Sequence, residues 1–148
     1  MAARAEDLPV VQVFDEIRRI DNLVRGELVR GMPEGLNYPQ YEVLSLLERR
    51  GDGITPAEIA KALQTPKSAL TNTLRRLAES GFVRVEDCGA DGRKKRIWLA
   101  PAGRAAYAQT LAAVRPKMEQ LRDGFTPGEF RDSIPFLKAL RIWFEENL

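Results

Sequence analysis

The residues that decide the fold run from Thr55 to Ala100: "TPAEIAKALQTPKSALTNTLRRLAESGFVRVEDCGADGRKKRIWLA". Thr55 precedes a proline and stands three residues before Glu58. A threonine oxygen accepts from the N3 amide, proline suits the first helical position, and glutamate at N3 reaches back to the cap. A helix therefore begins at Pro56, with Ile59, Ala60 and Leu63 facing one way. It lasts only about two turns before "LQT" and a second Thr-Pro start another helix near Pro66. That helix buries Leu70, Leu74 and Leu77, at i, i+4 and i+7, and turns Ser68, Asn72, Arg75, Arg76 and Glu79 outward. Gly81 is its natural stop. Two short helices joined by so tight a turn form a helix-turn-helix. "FVRVED" and "KRIWLA" then alternate as strands around a Gly-rich turn, which makes the unit a winged helix.

Four consecutive cations, Arg93 to Arg96, sit beside that turn. Like charges at such spacing repel, but a projecting hairpin tip keeps them in water in the free protein and against phosphates in a complex. Release of condensed counterions then favours association. The net charge of +2 hides a division: residues 61–104 hold 10 Lys/Arg against 4 Asp/Glu, and the remainder holds 13 against 17. One continuous block thus carries +6 while the rest carries −4. A charge run is usually just a solvated face; its place directly after a helix-turn-helix favours an anionic partner, double-stranded DNA above all.

The flanks read as helices. Val10, Phe14, Ile17, Val24 and Leu28 have helical spacing among charges, so residues 8–30 form a long amphipathic helix. Asn37 caps a second helix with Gln40 at N3, and Tyr41, Leu44 and Leu47 form its apolar stripe. After Pro101, Tyr107, Leu111, Val114, Met118 and Leu121 make a coiled-coil-like seam, with Pro116 expected to kink it or remove a hydrogen bond. Thr126 and Glu129 repeat the capping box, opening a last helix with Phe130, Ile134, Leu137, Leu140, Trp143, Phe144 and Leu148. The terminal helices offer more apolar surface than one small winged-helix core can cover, so they are expected to pack together and against a second subunit. The expected organisation is an N-terminal dimerisation helix and loop over 1–36, a DNA-binding lobe over 37–100 and C-terminal dimerisation helices over 101–148. The fold class is mainly α with a small β-hairpin wing.

Composition narrows the function. With 44% hydrophobic residues the chain can bury a core, and no apolar run approaches a membrane span. A single cysteine permits no intrachain disulfide and fits a reducing cytoplasm. The absence of histidine removes the commonest metal ligand and the usual general base. No Gly-rich phosphate loop, Ser-based elbow or Cys/His ligand set is present, so no catalytic residue, metal or cofactor is expected.

The order of elements, with "ALTNTLRRLAESGFVRV" and "DGRKKRIWLAPAG", resembles the multiple antibiotic resistance regulator (MarR) family of bacterial transcription factors. The likeness spans essentially the whole chain. It implies an obligate homodimer with interlocked terminal helices, whose two lobes read a pseudo-palindrome, and small phenolic or aromatic effectors, or oxidants, that relieve DNA binding. By position, Arg93 would be the wing arginine of the minor groove and Asp91 the carboxylate that orients it. Ser68, Thr71, Asn72 and Arg75 would face the major groove, where asparagine suits adenine and arginine guanine. Lys67 and Arg76 complete the expected DNA-binding set on the helix, while Lys94, Lys95 and Arg96 are expected to supply mainly long-range attraction or phosphate contacts. Ala100 departs from the threonine common in the family, and the first helix region holds no cysteine for peroxide sensing.

The resemblance also implies that Tyr38, at the start of the second helix, lies close to where family members bind aromatic ligands; joined by Arg18 and Tyr107 from neighbouring helices it would suit an aromatic carboxylate, although aromatics at helical spacing are more often core or interface. Cys88 stands beside the wing; the nearby cations favour a reactive thiolate, and Glu86 and Asp87 oppose it. Two functions of different kind remain: a dimeric, sequence-specific DNA-binding regulator, with repression the family habit, and a winged-helix adaptor that binds protein without touching DNA.

Overall fold

The computed structural model describes Arg4 and residues 8–51, 53–89 and 94–148. In chain order they form α1 (Pro9–Gly31), α2 (Tyr38–Arg50), α3 (Pro56–Leu63), α4 (Lys67–Glu79), β1 (Val83–Asp87), β2 (Lys95–Leu99), α5 (Pro101–Gln120), a 3-10 turn (Leu121–Asp123) and α6 (Pro127–Asn147). Two compact units divide them, Met1–Val114 and Arg115–Leu148.

In the first unit α2 is the centre. Its start is fixed by the reciprocal pair expected from sequence: the Asn37 side chain accepts the Gln40 amide at 3.0 Å, and the Gln40 side chain accepts the Asn37 amide at 2.8 Å. The stripe of Tyr41, Leu44 and Leu47 is only part of what it buries, because Gln40, Val43 and Leu46 are buried too. A helix covered over so wide an arc has neighbours on several sides, here α1, α3, α4 and β2. Ile59 of α3, Leu70, Leu74 and Leu77 of α4, and Val83, Ile97 and Leu99 of the hairpin complete the core around it.

The helix-turn-helix forms largely as the sequence dictates. Thr55 accepts the Glu58 amide at 3.2 Å while the Glu58 carboxylate accepts the Thr55 amide at 3.0 Å. The second Thr-Pro behaves differently. Thr65 donates its hydroxyl back to the Leu63 carbonyl at 3.3 Å, Gln64 adopts the left-handed conformation at φ 51°, and α4 starts at Lys67 with Pro66 as the flanking residue. The turn is therefore closed by backbone geometry and not by a threonine cap.

The hairpin is antiparallel, with Val83 opposite Leu99, Val85 opposite Ile97 and Asp87 opposite Lys95. Ile54 adds a bridge to Ile97 on the far side of β2, a pairing that no local sequence pattern marks. Where β2 passes into α5, the Ala100 amide donates to the Phe82 carbonyl at 3.1 Å. At Gly103 a Cβ would lie 2.0 Å from that same carbonyl oxygen and 3.1 Å from the Leu99 side chain. The last glycine of "DGRKKRIWLAPAG" is thus required by the close approach of α5 to the strand entry.

α5 runs without interruption through Pro116, so that proline costs a hydrogen bond and does not end the helix. It buries its small side, Gly103, Ala106, Thr110 and Val114, and leaves Leu111, Met118 and Leu121 of the expected seam exposed. In the second unit the third capping box is present, with Thr126 accepting the Glu129 amide at 3.2 Å. α6 likewise continues through a proline, Pro135. Neither α1 nor α6 has a buried residue. Among the described residues no helix is long and apolar enough to cross a membrane.

The contact at Gly103 yields a test. Gly103→Ala should lower stability by about 1–3 kcal/mol through overpacking against backbone that cannot step aside, although alanine is the better helix former. Thermal unfolding followed by circular dichroism checks the sign, since the opposite result is expected wherever helix propensity alone decides.

Candidate nucleic-acid interface

α4 has two chemically opposed sides. Leu70, Leu74 and Leu77 fasten it to the core, and Lys67, Ser68, Thr71, Asn72, Arg75 and Arg76 are all exposed on the other side, as expected. Thr71 spends its hydroxyl proton on the Lys67 carbonyl at 2.9 Å, which leaves its oxygen to accept. Arg75 donates to the Asn72 side-chain oxygen at 2.5 Å and lies 3.8 Å from the Glu79 carboxylate. The guanidinium is thus braced from both ends. Bidentate adenine contact by Asn72 uses that same oxygen, whose second lone pair is open to the adenine amino group while Arg75 orients the amide.

Between α4, the start of α3 and the hairpin lies a groove of about 690 Å³. Leu74, Ala78, Val85 and Ile97 supply apolar lining; Lys67, Arg75, Lys94 and Lys95 supply the charge. Lys67, Thr71 and Arg75 of α4 therefore meet Lys94 and Lys95 at the near end of the wing around one concave surface, whereas Arg76 lines a separate hollow with Leu36, Asn37 and Gln40. Asp91 and Arg93, expected at the minor groove, lie outside the described residues.

The three residues expected to hold an aromatic ligand do not all come together. Tyr38 and Tyr107 flank Tyr41, with ring centroids 6.0 Å and 5.6 Å from it. Arg18 instead bonds to Asp15 at 2.6 Å on the exposed side of α1. The cation over Tyr38 is Arg25, 4.5 Å from the ring centroid and held by Asp21 at 2.8 Å. Arg18 and Arg25 are seven residues apart and share a helix face, so periodicity identifies the face and not the turn. Partial burial raises the Tyr38 phenol above its ordinary range, helped by the Glu42 carboxylate, and burial likewise raises Glu42. Sequence reasoning misses Arg25 because nothing local connects α1 to α2; Tyr41 and Glu42 stand one turn from Tyr38 on α2 itself, and Tyr41 reads as core because it belongs to the apolar stripe.

Cys88 is half-buried, its amide bonded to the Lys94 carbonyl at 2.6 Å and its thiol 3.4 Å from Glu86. Desolvation and the Glu86 carboxylate push the thiol up, outweighing the opposing pull of Arg96. Both raising effects work against a reactive thiolate, the form that redox sensing needs.

A MarR-family profile matches residues 34–94, which span α2 to the wing. The transcriptional repressor YetL of Bacillus subtilis is 28% identical over 137 residues, 91% of this chain and 78% of YetL. A MarR-family transcriptional regulator from Silicibacter pomeroyi superposes with a TM-score of 0.78 at 26% identity, covering 94% of both chains. Bordetella bronchiseptica BpsR, whose DNA binding is regulated by 6-hydroxynicotinic acid, shares the fold with a TM-score of 0.71 at 22% identity, over 88% of this chain and 98% of BpsR.

Alkylation tests the state of Cys88. Because its pKa is raised, iodoacetamide should modify it more slowly at pH 7.5 than it modifies free cysteine, with the rate still climbing as pH rises above the usual thiol range. Glu86→Gln should speed the reaction at pH 7.5; a rate equal to that of the unmutated protein would show that the carboxylate does not hold the thiol up.

Proposed function

We propose that the chain, which belongs to the MarR family of transcription regulators, works as a cytoplasmic homodimeric repressor. On this reading its two winged-helix lobes grip a pseudo-palindromic operator, and a small aromatic or phenolic effector releases it. The observation that carries the reading is the shared groove, where Lys67, Arg75, Lys94 and Lys95 surround one surface between α4 and the hairpin. α4 enters the major groove with Ser68, Thr71, Asn72 and Arg75 toward the base edges. Arg76 and the lysines take phosphates, and Arg93, oriented by Asp91, enters the adjacent minor groove, whose narrow A·T-rich form concentrates negative potential. The protein acts through binding, without a catalytic step.

The division of labour follows the expected boundaries: 1–36 and 101–148 dimerise, and 37–100 reads DNA. Support comes from apolar side chains that the single chain leaves open. Val10, Ile20 and Leu23 on α1 and Phe130, Phe136 and Trp143 on α6 are all exposed. Obligate dimers commonly bury about 2,000 Å² or more, and faces of this kind supply it. The effector site lies at Tyr38, Tyr41 and Tyr107, with Arg25 in the place expected for Arg18; a guanidinium over the Tyr38 ring at the end of a row of three aromatic rings suits an aromatic carboxylate. BpsR offers the parallel of a like fold regulated by a pyridine carboxylate.

Selection of bound sequences from random DNA should return two half-sites about one helical turn apart. Asn72→Ala should then relax preference at one position per half-site by roughly 1–3 kcal/mol. Lys95→Ala should weaken operator and random DNA alike and flatten the slope of log K against log salt by about two, one phosphate from each lobe. Retention of the unmutated affinity by Arg93→Ala at every salt concentration would make the wing only a solvated tip; no binding to any DNA would leave the adaptor reading in its place.

Dimerisation is tested separately. Sedimentation at micromolar concentration should show a dimer, and removal of residues 126–148 should give insoluble or unfolded protein. A well-folded monomer from either would contradict it.

A further inference from the structure

The two faces of the hairpin do different things. Strand alternation puts Val85, Lys95 and Ile97 on the side that lines the groove beside α4, and puts Arg84, Glu86, Arg96 and Trp98 on the other. Of the four cations beside the turn, Arg96 is therefore directed away from the groove. Its guanidinium donates to the Gly53 carbonyl at 2.7 Å. The next residue continues the grip: the Gly53 amide donates to the Ile97 carbonyl and the Ile97 amide to the Ile54 carbonyl, both at 2.9 Å. The residue after that closes it. Gly53 sits at φ +78°, and a Cβ there would lie 3.1 Å from the Trp98 ring. The Trp98 indole nitrogen is buried and has no acceptor among the described residues.

Three successive residues of β2 thus hold Gly53 and Ile54, and the next residue is Thr55, the cap of α3. We propose that Arg96 is a positioning residue for operator recognition: it latches the base of the wing to the start of α3 through Gly53, and so fixes the angle between wing and recognition helix without itself contacting DNA. This rests on the DNA-binding reading above. Simultaneous contact with two grooves demands a fixed angle between the elements that enter them. Attraction to phosphates on random DNA does not. Loss of the latch should therefore lower operator affinity and spare non-specific binding.

The experiment compares the unmutated protein with Arg96→Met, Arg96→Lys and Gly53→Ala on operator and random DNA across a range of salt. Arg96→Met, without donor or charge, should lose about tenfold in operator affinity, the worth of one charge-assisted hydrogen bond. Random-sequence affinity should stay within about twofold and the salt slope should not change. Arg96→Lys retains a donor of nearly equal reach and should recover most of the loss. Gly53→Ala crowds Trp98 and strains φ without altering charge, and should reproduce the loss of preference even if Arg96→Met does not fold. Amide exchange supplies a readout independent of DNA: Gly53 and Ile97 should exchange faster in Arg96→Met, with α4 unaffected. A slope flattened by about two would make Arg96 a phosphate contact and overturn the proposal. Equal losses on both DNAs, unaltered exchange, or a Gly53→Ala variant with full operator preference would overturn it as well. If the unmutated protein itself prefers no sequence, the DNA-binding reading fails, and its own titration shows that separately.

Discussion

α3 is eight residues long, too short to hold a helical conformation by itself, and α4 alone is marginal. Both exist because α2 gives them an apolar surface to lie on. Val43, Leu44, Leu46 and Leu47 are at most 2% exposed, and Ile59 and Leu77, which meet them in the core, are fully buried. Truncating one such leucine to alanine typically costs about 2–5 kcal/mol, a large part of what stabilises a small domain. The exposed side of α4 is consequently free to be polar. Its chemistry is not needed for folding, because its other side has been fastened by leucines at i, i+4 and i+7.

The charges follow the same separation. On the flanking helices, ion pairs lie within the helix: Arg18 with Asp15, Arg25 with Asp21, Arg141 with Glu145. Exposed pairs of this kind contribute little stability, but they cancel the local field. On the lobe, Arg84 is engaged by Glu86 and the Trp98 ring, and Arg96 by the Gly53 carbonyl. Lys67, Lys94 and Lys95 stand exposed around the groove. Four cations of the basic block 61–104, Lys67, Arg75, Lys94 and Lys95, therefore line a concave surface, the shape that focuses a field outward.

Features that depend on neighbours along the chain are legible in the amino-acid sequence. All three capping boxes, the helix-turn-helix, the strands of the hairpin and the polar side of α4 have periods or spacings shorter than a dozen residues. Features that depend on distant contacts are not. Arg96 reaches Gly53 across 43 residues, and no local pattern marks either as a partner of the other. Val43 and Leu46 read as off-stripe because a single-stripe template assumes one buried side, whereas α2 has several. Gly103 is visible as a motif letter, but the Phe82 carbonyl that forbids a side chain there is brought to it only by packing. Arg18 and Arg25 are equivalent on a helix viewed alone, and only the placement of Tyr38 on α2 tells them apart.

The apolar residues on the terminal helices pose the remaining physical question. Leu23 is 73% exposed and Trp143 56%, and large exposed apolar faces on a lone chain favour association of some kind. If the association is a two-fold one, each face meets its own copy and the contact closes on itself without propagating into a filament. A two-fold pairing also has a consequence for DNA. Each lobe then occurs twice at a fixed separation, so a modest gain per lobe is counted twice while the loss of translational freedom is counted once. Fixing the separation between lobes through the terminal helices and the angle within each lobe at the base of the wing are then two parts of one requirement. Side chains that each contribute little must all arrive in register with the same duplex.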